Sequence, residues 1–370
     1  MTQGPLEGHV VVDATRMLPG AVLARCLLDL GARVIKIEAP GVGDPMRRIP
    51  PLVDGVGAGF AEHYRGAESV ALDLRDPADA ARLRGIVAQA DVFVESFRPG
   101  TLDRWGLSMT AMRAHHPPLV TVSLPAAPQG SGDDLAEVGH DLNFVARSGL
   151  LARLRPEGLP SVLAADVTTG LLAAQGVLAA LLGRTRTGRG CHVEQPIAAG
   201  PLPFLWWPVA EHAHGAERGA TTELLAGKVA AYRVYRCADG LRLAVGCLEP
   251  KFWVGFCDAI GRKDLAGAGL DLGPRGRACI EEMERHLAGA ERAHWLNRVR
   301  GRGLPVGPVH DGLGDVLADP LYRSPPLGSA PAEAPPALGP ALPSMGSRPE
   351  RGAPALGAHT AAVLREFGAA

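Results

Sequence analysis

The first 125 residues alternate short apolar segments with segments of helical spacing. Strands separated by helices pair in parallel, and both faces of the resulting sheet must be covered. This order predicts a doubly wound α/β domain that binds its ligand at the carboxyl ends of the strands. The predicted strands are His9–Ala14, Arg33–Glu38, Ser69–Leu74, Asp91–Ser96 and Leu119–Leu124, and the first helices are Ala21–Leu30 and Pro77–Ala90.

The pattern continues with a long Ala/Leu-rich segment, Thr168–Leu182, which predicts a central buried helix. A basic, glycine-containing turn over 183–190 and a strand over 191–197 are predicted after it. Farther on, Tyr232–Cys237 and Leu241–Val245 flank Ala238-Asp239-Gly240, which predicts a β-hairpin. Residues 325–354 are rich in Pro, Ala and Gly and predict an extended segment before a short final helix. We therefore expect a large α/β domain from 1–200 plus 325–370 and a small α+β domain from 225–324.

Composition narrows the class of protein. The chain has 370 residues, of which 46% are hydrophobic and 21% charged, as in globular proteins. Its formal net charge of -1 provides no overall attraction for nucleic acid or an anionic membrane, so local arginines must hold any anionic ligand. We expect no apolar run long enough to span a membrane. The six cysteines are scattered, which predicts reduced thiols in a cytoplasmic protein and no metal site.

Two titratable side chains stand in apolar surroundings. His140 lies in Gly139–Phe144, and Asp166 lies in Val162–Val167. A histidine and a separate aspartate would suit proton transfer between two faces of a carbon. Adjacent His-Asp pairs such as His140-Asp141 are, however, more often loop or cap residues. The pattern alone leaves both interpretations open.

Three other charged residues have similar alternatives. Arg98 follows the predicted strand Asp91–Ser96, and Arg104 comes six residues later. Arginines at the carboxyl end of a parallel strand suit phosphate binding, although both could be solvated surface residues. Glu249 follows another apolar strand and is either a helix cap or a carboxylate that orients a histidine. The segment Gly41-Val42-Gly43 lacks the third glycine of a dinucleotide-binding motif.

Together these segments resemble the family III CoA-transferase superfamily, the CaiB/BaiF type, over nearly the whole chain. The similar segments are 18–20, 27–38, 97–107, 184–190, 303–309, 315–320 and 359–364. Within the superfamily the chain looks closest to the α-methylacyl-CoA racemases. Gly139–Phe144 resembles their G-H-D-I-N-Y motif, and the segment from Tyr235 to Phe252 resembles the motif that ends in E-P-Q-F.

The resemblance implies an isomerase that interconverts 2-methylacyl-CoA stereoisomers by 1,1-proton transfer through an enolate. His140 and Asp166 would be the acid–base pair, Glu249 would orient His140, and a backbone N–H near Asp141 would stabilise the enolate. No cofactor or metal would be required, since CoA is part of the substrate. The implied CoA contacts are Leu72, Asp73, Leu74, Arg75, Ser96, Phe97, Arg98, Arg104, Gly139, Asp141, Leu142 and Asn143.

The chain departs from the superfamily at its cations. Ala39 stands where an arginine or other polar residue is common, and Ala67 and Glu68 stand where a basic cluster is common. Arg47, Arg48 or Arg75 could hold the CoA phosphates instead.

Two alternatives to the racemase remain open. The first is a CoA-transferase that uses Asp166 as its nucleophile. The second is a repurposed member that binds another thioester or a carrier protein. The resemblance also implies an interlocked homodimer, in which Glu249 of one subunit reaches His140 of the other.

Overall fold

A computed structural model describes residues 4–130, 139–154, 161–215, 222, 224–323, 342, 345 and 351–369. The chain forms two compact units. The larger comprises Met1–Phe204 and Leu321–Ala370, and the smaller comprises Leu205–Pro320. Most of the Pro-rich segment 325–354 lies outside the described residues.

The described part of the larger unit contains a six-stranded sheet in the order β5-β2-β1-β6-β7-β8, and every neighbouring pair is parallel. A separate antiparallel pair, β3 and β4, lies outside this sheet. The predicted α/β fold with a parallel sheet is confirmed. The strands are β1 Val10–Ala14, β2 Arg33–Glu38, β3 Leu52–Val53, β4 Val56–Gly57, β5 Glu68–Ala71, β6 Val92–Glu95, β7 Val120–Ser123 and β8 His192–Glu194.

Helices cover both faces of this sheet. Alternate strand residues point to opposite sides, and apolar residues lie on both sides, so both faces must be buried. Val11 packs with α1 and α8, whereas its neighbour Val12 packs with α3 and the end of the chain. The helices are α1 Leu18–Asp29, α2 Ala58–His63, α3 Pro77–Val87, α4 Thr101–Arg104, α5 Met109–His115, α6 Asp141–Arg147, α7 Leu150–Leu154 and α8 Ala164–Thr187.

Helix α8 differs from its predicted bounds at both ends. It begins four residues before Thr168, so Asp166 lies in its first turn. It also continues through the predicted basic turn and ends at Gly188, whose φ of 68° is left-handed. Among the described residues, α8 alone is long and apolar enough to cross a membrane, which the sequence prediction missed. Its close packing on α1 and the sheet is that of a core helix.

The smaller unit contains a three-stranded antiparallel sheet within its described residues. The predicted hairpin is confirmed, since its first two strands pair across a turn in which Gly240 has a φ of 77°. The strands are β9 Tyr232–Arg236, β10 Arg242–Gly246 and β11 Val306–Pro308. The helices are α9 Trp206–Ala213, α10 Pro250–Ile260, α11 Pro274–Leu287, α12 Arg292–Val299 and α13 Leu313–Ala318. The short helix α14, Pro320–Arg323, begins with the last residue of the smaller unit, and its other three residues belong to the larger unit.

The last helix, α15 Thr360–Glu366, returns to the larger unit. Arg33 in β2 forms an ion pair with Glu366, and Thr360 Oγ1 accepts the backbone N–H of Ala71 at 2.9 Å. Val363 and the neighbouring apolar residues of this helix are buried against the same face of the sheet as α3. Both ends of the chain therefore build the larger unit.

Candidate functional site

The site lies at the carboxyl ends of the two central strands, β1 and β6. In a doubly wound sheet the connections leave neighbouring central strands in opposite directions, and a crevice opens between them. Arg16 and Met17 follow β1, while Ser96 and Phe97 follow β6. Ser96 Oγ accepts the backbone N–H of Arg16 at 2.9 Å, which joins the two strand ends. Two adjacent cavities open at this point.

The first, called here the Asp166 cavity, has a volume of about 290 Å³. It brings His140 and Asp166, which are distant in the sequence, onto one surface. Ser96, Phe97, Arg98 and Gly139 line it as well, together with Arg16, Met17, Pro19, Pro99, Leu124, Pro125, Ala126, Ala127 and Ile197.

The second, called here the Leu72 cavity, has a volume of about 320 Å³. Five of the expected CoA contacts, Leu72 to Arg75 and Phe97, line this cavity. Arg16 and Phe97 line both cavities, so the two share a wall. The remaining lining residues are Ala14, Thr15, Ile37, Glu38, Ala39, Gly43, Asp44 and Trp105.

Asp166 is held by its position in the first turn of α8. Its backbone N–H donates to Oδ1 of the buried Asp141 at 3.0 Å, so the start of α8 is fastened to α6. Burial and the negative charge of Asp141 raise the pKa of Asp166 to about 6, and the nearby His140 opposes this shift. At neutral pH the side chain is therefore an ionised carboxylate that is more basic than usual.

His140 immediately precedes α6 and is exposed at the cavity wall. Its backbone N–H donates to Asn143 Oδ1 at 3.0 Å, which fixes the start of the helix. Gly139 packs closely beneath the Phe144 ring, since a Cβ atom at this position would lie 2.9 Å from the ring and would displace it. Leu142 is exposed, with 42% of its surface accessible. Gly139, Asp141 and Asn143, which were expected to contact CoA, thus shape the segment that presents His140.

The predicted arginines differ in their availability. Arg98 is exposed and lines the Asp166 cavity, whereas Arg104 lines neither cavity and donates to Thr101 Oγ1 at 2.9 Å. Arg75 is exposed but forms a bidentate pair with Asp73, with both N–O distances 2.9 Å.

Arg47 is not available for a phosphate. It is buried, forms a bidentate pair with Glu38 at 2.7 and 2.6 Å, and donates to the backbone oxygen of Pro354. The suggestion that Arg47 replaces a missing phosphate ligand is therefore wrong.

Glu249 belongs to the smaller unit, where it immediately precedes α10 and the helix starts with Pro250. His140 belongs to the larger unit, and the expected contact between Glu249 and His140 stays a prediction.

Two charged residues at the ends of β1 and β6 were missed in the sequence: Arg16, which lines both cavities, and Glu95, which lines neither of them. Arg16 is the first cation after β1. An arginine at the carboxyl end of a parallel strand is a candidate anion ligand, and this signal could have identified it. Glu95 ends β6 and accepts the backbone N–H of Phe97 at 2.7 Å. Burial raises the pKa of Glu95 to about 7, although the Phe97 N–H acts in the opposite direction. An acidic residue at the end of an otherwise apolar strand was the available signal.

Comparisons with known proteins identify the family. The model of CoA-transferase family III matches residues 6–360. An acetyl-CoA:oxalate CoA-transferase from Acetobacter aceti is 32% identical over 320 residues, covering 84% of this chain and 82% of that protein. The human α-methylacyl-CoA racemase is 33% identical over 266 residues, covering 70% of this chain and 65% of the racemase.

A solved structure supports the same conclusion over the whole chain. A CaiB/BaiF family protein from Brucella suis has a TM-score of 0.83 at 26% identity, covering 99% of this chain and 100% of that one. Most of the similar relatives are CoA-transferases, and the racemase is one of several with comparable similarity. The expected special closeness to the racemases is therefore not supported. The chain belongs to CoA-transferase family III and is an enzyme of acyl-CoA thioester chemistry.

Proposed function

We propose that the protein transfers CoA from an acyl-CoA thioester to a free carboxylic acid, with Asp166 as the nucleophile. The observation that carries this proposal is the Asp166 carboxylate itself, which lines a cavity at the carboxyl ends of β1 and β6. Its raised pKa makes the ionised oxygen a better nucleophile than an ordinary carboxylate. The transferase relatives support the same chemistry.

The first half of the reaction loads CoA onto the enzyme. A carboxylate oxygen of Asp166 attacks the thioester carbonyl and expels CoA thiolate, which leaves a mixed anhydride between Asp166 and the acyl group. The thiolate then attacks the aspartyl carbonyl of this anhydride. The donor acid leaves as a carboxylate, and Asp166 holds CoA as a thioester.

The second half reverses these steps with the acceptor acid. The acceptor carboxylate attacks the aspartyl thioester and expels CoA thiolate, which forms a second mixed anhydride. The thiolate attacks the acceptor carbonyl, so the new acyl-CoA leaves and Asp166 is regenerated as a carboxylate. No net proton, electron or water is consumed.

A second candidate is favoured by one specific observation: His140 lines the same cavity as Asp166. In a 2-methylacyl-CoA racemase or epimerase, one of these residues removes the α-proton and the other returns a proton to the opposite face. Glu249 would orient His140, and an N–H near Asp141 would stabilise the enolate.

Two variants separate the candidates. Asp166→Asn removes the nucleophile and also one acid–base group, so it should abolish both reactions. His140→Gln should leave CoA transfer within about threefold of the unmodified protein but reduce racemisation by about a hundredfold or more.

The assay incubates each protein with acyl-CoA donors and a panel of carboxylic acids in heavy water. We expect a new acyl-CoA by mass spectrometry, ping-pong kinetics and an Asp166–CoA adduct that borohydride reduces. If deuterium is incorporated at C2 without CoA transfer, and if this incorporation is lost in His140→Gln, the transferase is refuted and the racemase supported. If neither product forms with any substrate, both candidates fail in favour of a repurposed member.

The proposed function also includes a homodimeric assembly and a cytoplasmic location. We infer an interlocked homodimer in which Glu249 of one subunit faces the Asp166 cavity of the other. The neutral overall charge and the CoA thioester substrate are consistent with a cytoplasmic enzyme.

A further inference from the structure

Arg16 has the environment of an anion-binding residue. It is exposed, lies at the carboxyl end of β1 and lines both the Asp166 cavity and the Leu72 cavity. Its guanidinium carbon lies 5.4 Å from the centre of the Phe97 ring. A guanidinium at this distance from an aromatic face keeps its N–H groups free for a ligand. Among the described residues, no carboxylate pairs with it.

The other charges around the Leu72 cavity are already neutralised. Glu38 forms an ion pair with Arg47, and Asp73 forms a bidentate ion pair with Arg75. Asp44 lies 3.3 Å from the buried Nζ of Lys36. Arg16 therefore adds a positive charge that no neighbouring carboxylate balances. A cation of this kind at the mouth of a crevice attracts an anionic group.

The backbone holds Arg16 in place. Ser96 Oγ fixes its N–H, and Lys36 Nζ donates to the carbonyl oxygen of Thr15 at 2.6 Å. The next residue, Met17, has a φ of 65°, which is strained for a residue other than glycine. Strain of this kind persists only where the surroundings fix the backbone, so the position of Arg16 is determined before a ligand arrives.

We propose that Arg16 binds an anionic group of the thioester substrate, in place of the cations that are absent at Ala39, Ala67 and Glu68. This inference rests on the proposed thioester chemistry and adds a specificity-determining residue to it. Two parts of the substrate carry suitable anions: the phosphates of CoA (its diphosphate and its ribose 3′-phosphate) and a carboxylate on the acyl group. Both form paired hydrogen bonds with a guanidinium.

Four thioesters distinguish these sources. Acetyl-CoA carries only the CoA phosphates, succinyl-pantetheine carries only the carboxylate, succinyl-CoA carries both kinds of anion, and acetyl-pantetheine carries neither. Binding is measured by ligand-detected NMR, which reaches millimolar affinities. All proteins carry Asp166→Asn, so that no covalent adduct forms and no turnover is needed. A protein that proves to catalyse neither proposed reaction still tests Arg16.

Arg16→Gln should weaken binding of the thioesters that carry the recognised anion by about 10- to 100-fold. Acetyl-pantetheine should bind equally to both proteins. Loss for both CoA thioesters identifies the CoA phosphates, and loss for both succinyl thioesters identifies the carboxylate. Arg16→Lys should restore part of the affinity because it keeps the charge.

The matched control is Arg186→Gln. Arg186 is also exposed but lies at the opposite end of α8, about 30 Å along the helix from Asp166. It should change none of the four affinities. Unchanged binding in Arg16→Gln, or an equal loss for all four thioesters, would overturn the proposal.

Discussion

Asp141, in the first turn of α6, and Asp166, in the first turn of α8, are neighbouring carboxylates with different environments. Asp141 is buried and accepts the backbone N–H of Asp166, whereas the side chain of Asp166 lines the cavity. The charge of the first raises the pKa of the second. One residue thus both positions the reactive carboxylate and makes it more basic.

The variant Asp141→Asn should lower the pKa of Asp166, because it removes a neighbouring negative charge and keeps an oxygen that accepts the N–H. The acidic limb of the pH profile of kcat/KM, expected near pH 6, should move to lower pH. Asp141→Ala is the control for the hydrogen bond and should also lower the free energy of unfolding by about 1–3 kcal/mol. An unchanged acidic limb in Asp141→Asn would contradict this account.

The Asp166 side chain should also make stability depend on pH. Its folded pKa of about 6 lies above the ordinary value of 3.8, so the folded state favours the protonated form. Its contribution to stability is complete below pH 3.8 and is lost as the pH rises through about 6.

Asp166→Asn should therefore be more stable than the unmodified protein at pH 8, by about 1–2 kcal/mol once solvent screening is allowed for. The difference should disappear near pH 4. Urea unfolding across this pH range measures it. Equal stability of the two proteins at pH 8 would show that burial and the charge of Asp141 do not disfavour the ionised carboxylate in the folded protein.

Sequence reasoning identified individual residues of the site better than their contacts. His140, Asp166 and Arg98 stood out because ionisable residues in apolar surroundings or after a strand are unusual. The fastening of Asp166 by Asp141 joins positions 25 residues apart, and local periodicity carries no information on such a pair. Arg16 also follows a predicted strand, so the signal that singled out Arg98 could have found it.

At the scale of elements, the contact between α1 and α8 sets the position of Asp166. Gly170 lies one turn beyond Asp166, and a Cβ atom there would approach the Pro19 carbonyl oxygen and Val22 Cβ to 2.6 Å each. The absence of a side chain lets the two helices approach closely. The close approach fixes where the first turn of α8 meets the cavity.

Gly170→Ala should therefore force α8 away from α1. We expect the free energy of unfolding to fall by about 1–3 kcal/mol and turnover to decrease, since Asp166 would move with the helix. Gly183→Ala in the same helix is the matched control, because no atom lies within 4 Å of its added Cβ. It should stabilise the protein by about 0.5–1 kcal/mol and leave turnover unchanged. Equal effects of both variants would argue against the close contact.

The ends of α8 were predicted less well than its existence. The positions of the main strands along the chain and their parallel pairing followed from the alternation of apolar segments with helical segments, because the periodicity of apolar residues reports which side chains are buried. The helix was expected to stop before Gly183, yet one glycine costs only about 1 kcal/mol in a helix of good helix formers. The actual end is Gly188, where the backbone turns left-handed, and sequence alone does not distinguish these two glycines.

At the scale of the whole molecule, the proposed interlocked dimer predicts complementation between subunits. For the racemase candidate, in which Glu249 orients His140, the Asp166→Asn and Glu249→Gln homodimers should each be inactive in deuterium exchange at C2. A hybrid dimer with one subunit of each kind would contain one site with both substitutions and one site with neither. Its activity should therefore be about half that of the unmodified dimer.

The hybrid is obtained by co-expression with two different affinity tags and two successive purifications. Its activity is compared with that of the parent variants in the assay that detects the reaction. A hybrid as inactive as its parents would show that each site is built from a single chain.

The return of α15 to the larger unit has a consequence for biosynthesis. Arg33 and its ion-pair partner Glu366 are 333 residues apart, so the apolar cluster that α15 shares with Val70 of β5 and Leu83 of α3 remains incomplete until α15 has been synthesised. At about 5–20 residues per second, this takes roughly 15–60 s after β5 has been made. The nascent chain therefore exposes an apolar surface throughout the synthesis of the smaller unit, and chaperones have that interval in which to bind it.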